Sequence, residues 1–108
     1  MKVILFIDTS SSEEIQVAID INGKRLEKTA PRQARAQMVL PMIEELLSEQ
    51  KLKLTDIAEI KVNPGPGSFT GLRVGLAVAQ TLGKLLNVPV NGKRAGAIKP
   101  IYQKSKWE

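Results

Sequence analysis

Apolar and polar residues follow strand-like patterns over the first thirty positions of the chain. Residues 3–7 form an unbroken apolar run, which predicts a central strand buried on both faces. Over residues 15–21 apolar positions alternate with polar or small ones, which predicts a strand with one solvated face. Asn22-Gly23 follows and tolerates positive φ angles. We therefore expect a tight hairpin into a return strand over residues 24–29, at an edge of the sheet.

The pattern changes to a helical period over residues 32–50. Two rows of apolar side chains recur every four positions, and glutamates occupy the other side of the helix. The rows are Met38, Met42, Leu46 and Val39, Ile43, Leu47. Pro41 lies inside this segment and lacks the N–H that a helix uses, so we expect a kink or two helical pieces.

Three shorter patterns complete the predicted fold. Apolar positions between 57 and 62 predict another strand, residues 69–86 predict a second helix, and residues 88–90 predict a last strand. The order β-β-β-α-β-α-β predicts an α/β domain. Right-handed crossovers would place the helices on a mixed sheet.

Composition narrows the possible functions. The 108 residues suffice for one small domain, and they include neither cysteine nor histidine. This excludes disulfides, thiolate metal sites, His-ligated zinc and Ser-His catalysis within this sequence. No apolar stretch is long enough to predict a membrane span or a secretory leader, so we expect a cytoplasmic protein. We also expect no bound cofactor.

The charged residues are distributed unevenly between the first 92 residues and the C-terminal segment. Residues 1–92 carry 11 basic and 10 acidic side chains, whereas residues 93–108 carry five basic and one acidic. We therefore expect a domain over 1–92 and a basic tail over 93–108. The tail interleaves basic residues with Tyr102 and Trp107, a pattern that suits RNA binding, although a solvated C-terminus is the simpler interpretation.

The stretch VNPGPGSFTG, residues 62–71, lies between a predicted strand and a predicted helix. Gly65 and Gly67 allow unusual backbone conformations, and Ser68 and Thr70 add hydroxyls at the helix start, where free N–H groups can bind an anion. The spacing matches neither a Walker A loop nor the Rossmann fingerprint. Two interpretations stay open, a phosphate-binding loop and a tight turn with a serine cap, and spacing alone favours the turn.

Asp8, Thr9 and Ser10 follow the first predicted strand. A carboxylate and two hydroxyls there could hold a phosphate or a metal-bound water, or they could form local hydrogen bonds that end the strand. The carboxyl ends of parallel strands are where ligands bind in such sheets. Together with the glycine-rich loop, these residues form a nucleotide-site hypothesis.

Small residues recur every four positions along the second predicted helix. They are Gly71, Gly75, Ala79 and Gly83, and they line one helical face with little side-chain volume. Glycine in a helix is costly, so we expect close packing to offset it. The stripe could pack against the protein's own sheet, but the apolar character all round the helix favours a partner helix from another chain. Met38 and Met42 would flank that interface.

Three of these stretches together resemble the TsaB (YeaZ) family, the glycoprotease-like partner proteins of bacterial tRNA threonylcarbamoyladenosine synthesis. They are ILFIDTSSS, LPMIEELL and VNPGPGSFTGLRVGLAVAQTLGKLLNVPV, and the resemblance covers residues 2 to about 91. It implies a half-domain of the actin/Hsp70/sugar-kinase, ribonuclease H-like type. It also implies a non-catalytic scaffold that binds a TsaD-like transferase subunit through its two helices, in a complex with a TsaE-like ATPase.

The resemblance carries further expectations. Proteins of this family associate with themselves when alone, so a homodimer is expected, and tRNA would be bound indirectly or through the basic tail. Family members normally continue into a second lobe, which weakens the nucleotide-site hypothesis here. Arg35 stands where the family often has a histidine, and we expect no metal site. The alternative function is a small nucleotide-binding phosphotransferase-like domain that acts as a dimer.

Overall fold

The computed structural model describes residues 2–11, 13–31, 38–67 and 69–93, with the backbone alone at residues 69 and 70. These residues form four strands, two helices and a short 3-10 turn over Leu54–Asp56. The strands are β1 (Val3–Asp8), β2 (Glu14–Ile21), β3 (Lys24–Pro31) and β4 (Ile57–Val62), and the helices are α1 (Val39–Glu49) and α2 (Phe69–Leu86). The predicted basic tail beyond residue 93 lies outside the described residues.

The strands form one mixed sheet in the order β3-β2-β1-β4. β1 is antiparallel to β2 and parallel to β4, so Leu5 lies between Ile19 and Ile60. β2 and β3 are joined at Asn22 and Gly23, whose φ angles of 52° and 91° fit the tight hairpin predicted from that pair. The predicted α/β class with a mixed sheet is confirmed.

Both helices pack on the same face of the sheet. Val3, Leu5 and Ile7 of β1 point into a single hydrophobic core that includes buried residues of α1 and α2. The alternate residues of β1 are only half-buried on the opposite face, where the guanidinium carbon of Arg25 lies 4.5 Å from the centroid of the Phe6 ring. The prediction that β1 is buried on both faces is therefore wrong, because an apolar run does not show how many faces are covered.

Helix α1 begins at Val39 with Met38 as its N-cap. Residues 32–37 of the predicted helix lie outside the described residues. Pro41 consequently occupies the first turn, where a backbone N–H has no partner within the helix. The expected kink or break at Pro41 is wrong, because α1 runs as one helix to Glu49.

Helix α2 has the predicted bounds and ends at Asn87, whose φ angle is 56°. The predicted last strand over 88–90 is wrong, because it is reduced to one parallel bridge between Val90 and Ile60. The turn at Asn91 and Gly92 reverses the chain directly after Val90. Among the described residues, no helix is long and apolar enough to cross a membrane.

Candidate functional site

The carboxyl ends of β1 and β4 meet because these strands are adjacent and parallel. Asn63 follows β4, and its backbone N–H donates to the carbonyl oxygen of Ile7 at 3.0 Å. The Asn63 side-chain amide donates to Asp8 Oδ2 at 3.3 Å and to Ser10 Oγ at 3.1 Å. Sequence analysis missed Asn63, although its position directly after a strand was a usable signal.

Asp8 is held in its ionised form by its neighbours. Burial alone would raise the pKa of this carboxyl. Asp8 accepts hydrogen bonds from the Ser10 hydroxyl and backbone N–H, at 2.6 and 2.9 Å, and from the Asn63 amide. Together these bonds outweigh the effect of burial, so the pKa of Asp8 is lowered. The cluster thus presents a negative charge whose oxygens are already hydrogen-bonded.

The glycine-rich loop packs directly against the end of β1. A Cβ atom added to Gly67 would lie 2.9 Å from both Ser10 Cβ and the Ser10 carbonyl oxygen, so only glycine permits this approach. Gly65 has a φ angle of 121°, and its N–H donates to Asn63 Oδ1 at 3.0 Å. The structure therefore brings Asp8, Ser10 and the loop together, as the nucleotide-site hypothesis requires.

The chemistry of this cluster favours a structural turn. A phosphate placed beside ionised Asp8 would be repelled unless a cation lay between them. Across the described part of the chain, no group of three or more acidic, cysteine or histidine side chains is arranged to hold a metal ion. Ser68 and the Thr70 side chain lie outside the described residues, so their predicted part in anion binding stays a prediction.

Thr9 points away from this cluster. Its side chain is 2% exposed, and its hydroxyl donates to the Gly71 carbonyl oxygen at 2.5 Å and accepts from the Gly75 N–H at 3.1 Å. Both hydrogen-bonding capacities of the hydroxyl are thus used within the protein. The predicted role of Thr9 in holding a phosphate does not fit this geometry.

The glycine stripe of α2 faces inward. A Cβ atom on Gly75 would lie 2.5 Å from Thr9 Oγ1, and one on Gly83 would collide with the Val90 side chain. Gly71 is buried, and Ala79 is 0% exposed. The prediction that this stripe is a groove for a partner is therefore wrong, because the protein's own sheet and residues 88–90 fill it.

Apolar side chains on the other side of both helices are exposed instead. Leu85 of α2 is 73% exposed, and Ala77 is exposed about two turns earlier on the helix. At the start of α1, Met38 and Leu40 are 41% and 39% exposed, whereas Met42, also predicted at the interface, is 5% exposed and belongs to the core. We call the exposed apolar residues of the two helices the outer helix face: Met38, Leu40, Ala77 and Leu85.

Comparison with known proteins gives a consistent family assignment. The model of the family described as "TsaD: tRNA N6-adenosine threonylcarbamoyltransferase" matches residues 28–92. A protein named tRNA threonylcarbamoyladenosine biosynthesis protein TsaB from Buchnera aphidicola subsp. Baizongia pistaciae is 38% identical over 89 residues, which are 82% of this chain and 40% of that protein. The TsaB of Escherichia coli strain K12 is 37% identical over 91 residues, 82% of this chain and 38% of its own length.

Solved structures agree with this assignment. YeaZ from Pseudomonas aeruginosa superposes with a TM-score of 0.75 at 37% identity, covering 83% of this chain and 42% of that one. A second structure, titled as an uncharacterized protein with similarity to peptidase YeaZ from the same organism, gives a TM-score of 0.77 at 36% identity and the same coverage. The fold is therefore of the actin-like type predicted above, and this chain spans about two fifths of the length of the relatives it matches.

Proposed function

This chain belongs to the TsaB (YeaZ) family of tRNA threonylcarbamoyladenosine biosynthesis proteins, and we propose that it is a non-catalytic subunit that binds a TsaD-like transferase. The family assignment rests on the matched family model together with the TsaB relatives. The proposed role of the chain is to form a complex in which the partner carries out threonylcarbamoyl transfer to the tRNA adenosine beside the anticodon. A TsaE-like ATPase would join the same complex.

The outer helix face carries this proposal. Exposed leucine and methionine side chains on adjacent helices gain free energy when a partner removes them from water, by about 25 cal/mol per Å². The same helices also expose charged residues, among them Glu44 and Glu45 on α1 and Lys84 on α2. An apolar centre with a charged rim is the usual composition of a specific interface.

The proposed lack of catalysis rests on the residues that are present. The sequence has no histidine or cysteine to serve as general base or nucleophile. Asp8, the partly buried carboxyl at the end of β1, accepts hydrogen bonds from Ser10 and Asn63. Its lowered pKa makes it a poor general base near neutral pH.

Charge placed on the outer helix face tests the proposal. Leu85→Glu should lower the affinity for a TsaD-like protein by at least about tenfold, because it puts a charge in place of the most exposed large apolar side chain of this face. Thr55→Glu is the matched control, since Thr55 is exposed in the 3-10 turn before β4 and should bind normally. Affinity is measured by titration of the purified proteins. Equal binding by both variants would place the interface elsewhere, and no binding by the unmodified chain would reject the proposed function.

The same face accounts for the proposed homodimer. If free copies associate through the outer helix face, the TsaD-like partner must compete with self-association. Sedimentation of the unmodified chain at rising concentration, with Leu85→Glu beside it, measures this directly. A dimer that Leu85→Glu leaves intact would use another surface.

The alternative, a nucleotide-binding phosphotransferase-like dimer, has one observation in its favour: Ser10, beside Asp8, does contact Gly67 of the glycine-rich loop. Calorimetric titration with ATP and Mg²⁺ distinguishes the two functions. Tight binding that is lost in Asp8→Ala would favour the alternative over the scaffold.

A further inference from the structure

The buried hydroxyl of Thr9 has no part in the proposed function described so far. It is the one buried polar or charged side chain among the described residues, and it bonds to two backbone groups of α2 that lie 62 and 66 positions away in the sequence. A buried polar group is retained at a cost unless it is fully hydrogen-bonded. Here both bonds are made to a single turn of a helix, so the hydroxyl fixes that turn relative to β1.

The two backbone groups that Thr9 contacts are ones that an α-helix normally hydrogen-bonds to each other. The N–H of residue i+4 normally donates to the carbonyl oxygen of residue i, and Gly75 and Gly71 have that relation. Thr9 Oγ1 accepts from the first and donates to the second, at 3.1 and 2.5 Å. The position of the turn therefore depends on the hydroxyl, and the absence of a side chain at Gly75 allows it to come this close.

The same turn carries part of the outer helix face. Gly75 faces inward, whereas Ala77, two residues after it, is exposed on the outward side. A displacement of the turn at Gly75 consequently displaces Ala77. The sequence neighbours of Thr9, Asp8 and Ser10, both accept hydrogen bonds from the Asn63 amide, and Ser10 also contacts Gly67.

We propose that Thr9 is a positioning residue for partner binding: its hydroxyl sets the pose of the first half of α2 and couples that helix to the loop at the carboxyl ends of β1 and β4. The inference rests on the proposed function, because it assumes that a TsaD-like partner binds the outward side of α2. Direct contacts can carry coupling of this kind, and the two hydrogen bonds are such contacts.

Three substitutions separate the hydroxyl from the shape of the side chain. Thr9→Val keeps the shape but replaces the oxygen with a methyl group, which is larger and cannot bond to the helix. Thr9→Ser keeps the hydroxyl and removes the methyl group. Thr9→Ala removes both and leaves space, so it remains informative if the valine variant does not fold.

Amide hydrogen exchange of the native protein is the first measurement. We expect the Gly75 amide to exchange about tenfold faster in Thr9→Val and Thr9→Ala, because each loses a buried hydrogen bond. Thr9→Ser should stay within about twofold of the unmodified chain. Unchanged exchange in the valine and alanine variants would overturn the positioning role.

Affinity for a purified TsaD-like protein, corrected for the folded fraction, is the second measurement. We expect a loss of about tenfold in Thr9→Val and recovery in Thr9→Ser. A residue with only a structural role would change the folded fraction without changing the corrected affinity, and that result would overturn the coupling. If the unmodified chain binds no such partner, the proposed function fails, and the exchange data alone decide whether Thr9 positions α2.

Discussion

Two asparagines in this chain have the same backbone conformation before a glycine, but their side chains have different partners. Asn22 and Asn91 have φ angles of 52° and 51°. The Asn91 amide accepts from the Val62 N–H at 2.8 Å and donates to the Val62 carbonyl oxygen at 2.9 Å. Asn22 Oδ1 accepts one long bond, 3.4 Å, from the Lys2 N–H. Asn91 thus takes the place of a further strand residue beside β4.

This difference predicts unequal costs of the same substitution. Asn91→Ala should lower the free energy of unfolding by about 1–3 kcal/mol more than Asn22→Ala, because it leaves both backbone groups of buried Val62 without partners. The strain of an alanine at positive φ is common to both variants and cancels in the comparison. Denaturant unfolding measures the difference, and equal losses would contradict it.

A second residue-level prediction concerns Gly75. Alanine has the higher helix propensity by about 1 kcal/mol, yet Gly75→Ala should destabilise the protein by about 1–3 kcal/mol, because its Cβ would overlap the Thr9 hydroxyl. The double variant with Thr9→Ala should recover part of the loss by giving the methyl group space. A Gly75→Ala protein as stable as the unmodified chain would show that α2 can move away from β1 freely.

The Asp8 carboxyl predicts a pH dependence. Its pKa is lowered in the folded protein, so its contribution to stability is present above the unfolded value of about 4 and is lost as pH falls through the folded value. Asp8→Asn should therefore show a smaller decrease in stability than the unmodified chain below about pH 4. Glu44→Gln, on the exposed side of α1, is the control and should retain the full decrease.

At the scale of elements, α1 is joined to the edge strand β3 by a three-residue ion cluster. Lys28 Nζ lies 3.1 Å from Glu45 Oε1 and 2.9 Å from Glu49 Oε2, and these carboxylates raise the pKa of Lys28. Lys28→Met keeps the apolar stem and removes the charge, so it should lower the free energy of unfolding at low salt by weakening the contact between α1 and β3. This difference in the free energy of unfolding should disappear near 1 M NaCl, where exposed charges are screened. A loss that persists at high salt would mean that the charge is not the cause.

The elements that sequence analysis placed correctly have local signals. The bounds of α2 follow from apolar periodicity between a glycine-rich loop and Asn87, and the β2–β3 hairpin follows from Asn22-Gly23. The last strand, predicted over 88–90, was wrong. The turn at Asn91 and Gly92 limits it to a single bridge at Val90, and the Asn91 side chain bonds to β4 at Val62 instead.

The candidate site was predictable in part for a similar reason. Asp8 and the glycine-rich loop were expected to meet because parallel strands align their carboxyl ends. The direction of the glycine stripe was not predictable, since a face without side chains fits a sheet as well as a partner helix. The partners of Thr9 lie more than 60 residues away, and no local pattern marks them.

At the scale of the whole molecule, every buried residue in the described part of the chain lies between Val3 and Val90. The predicted boundary between body and tail near residue 92 remains a prediction. A chain shortened to end at Lys93, whose backbone pairs with Val90, should unfold at the same denaturant concentration as the full chain. A lower midpoint would assign residues 94–108 to the folded body.

The same shortened chain tests the RNA-binding interpretation of the basic tail. If the tail binds tRNA, its removal should lower the affinity and flatten the dependence of binding on salt concentration, because fewer counterions are released. An unchanged salt slope would contradict any contribution of the tail to tRNA binding.

The Asn91 side chain also bears on how copies of the molecule can meet. An open strand edge offers unpaired N–H and carbonyl groups on which another chain can add a strand, the first step towards fibres. At Val62 both groups are already bonded to the Asn91 amide, so this end of β4 offers no template for growth. Strand addition at the Val62 end of β4 would therefore have to displace the Asn91 side chain first.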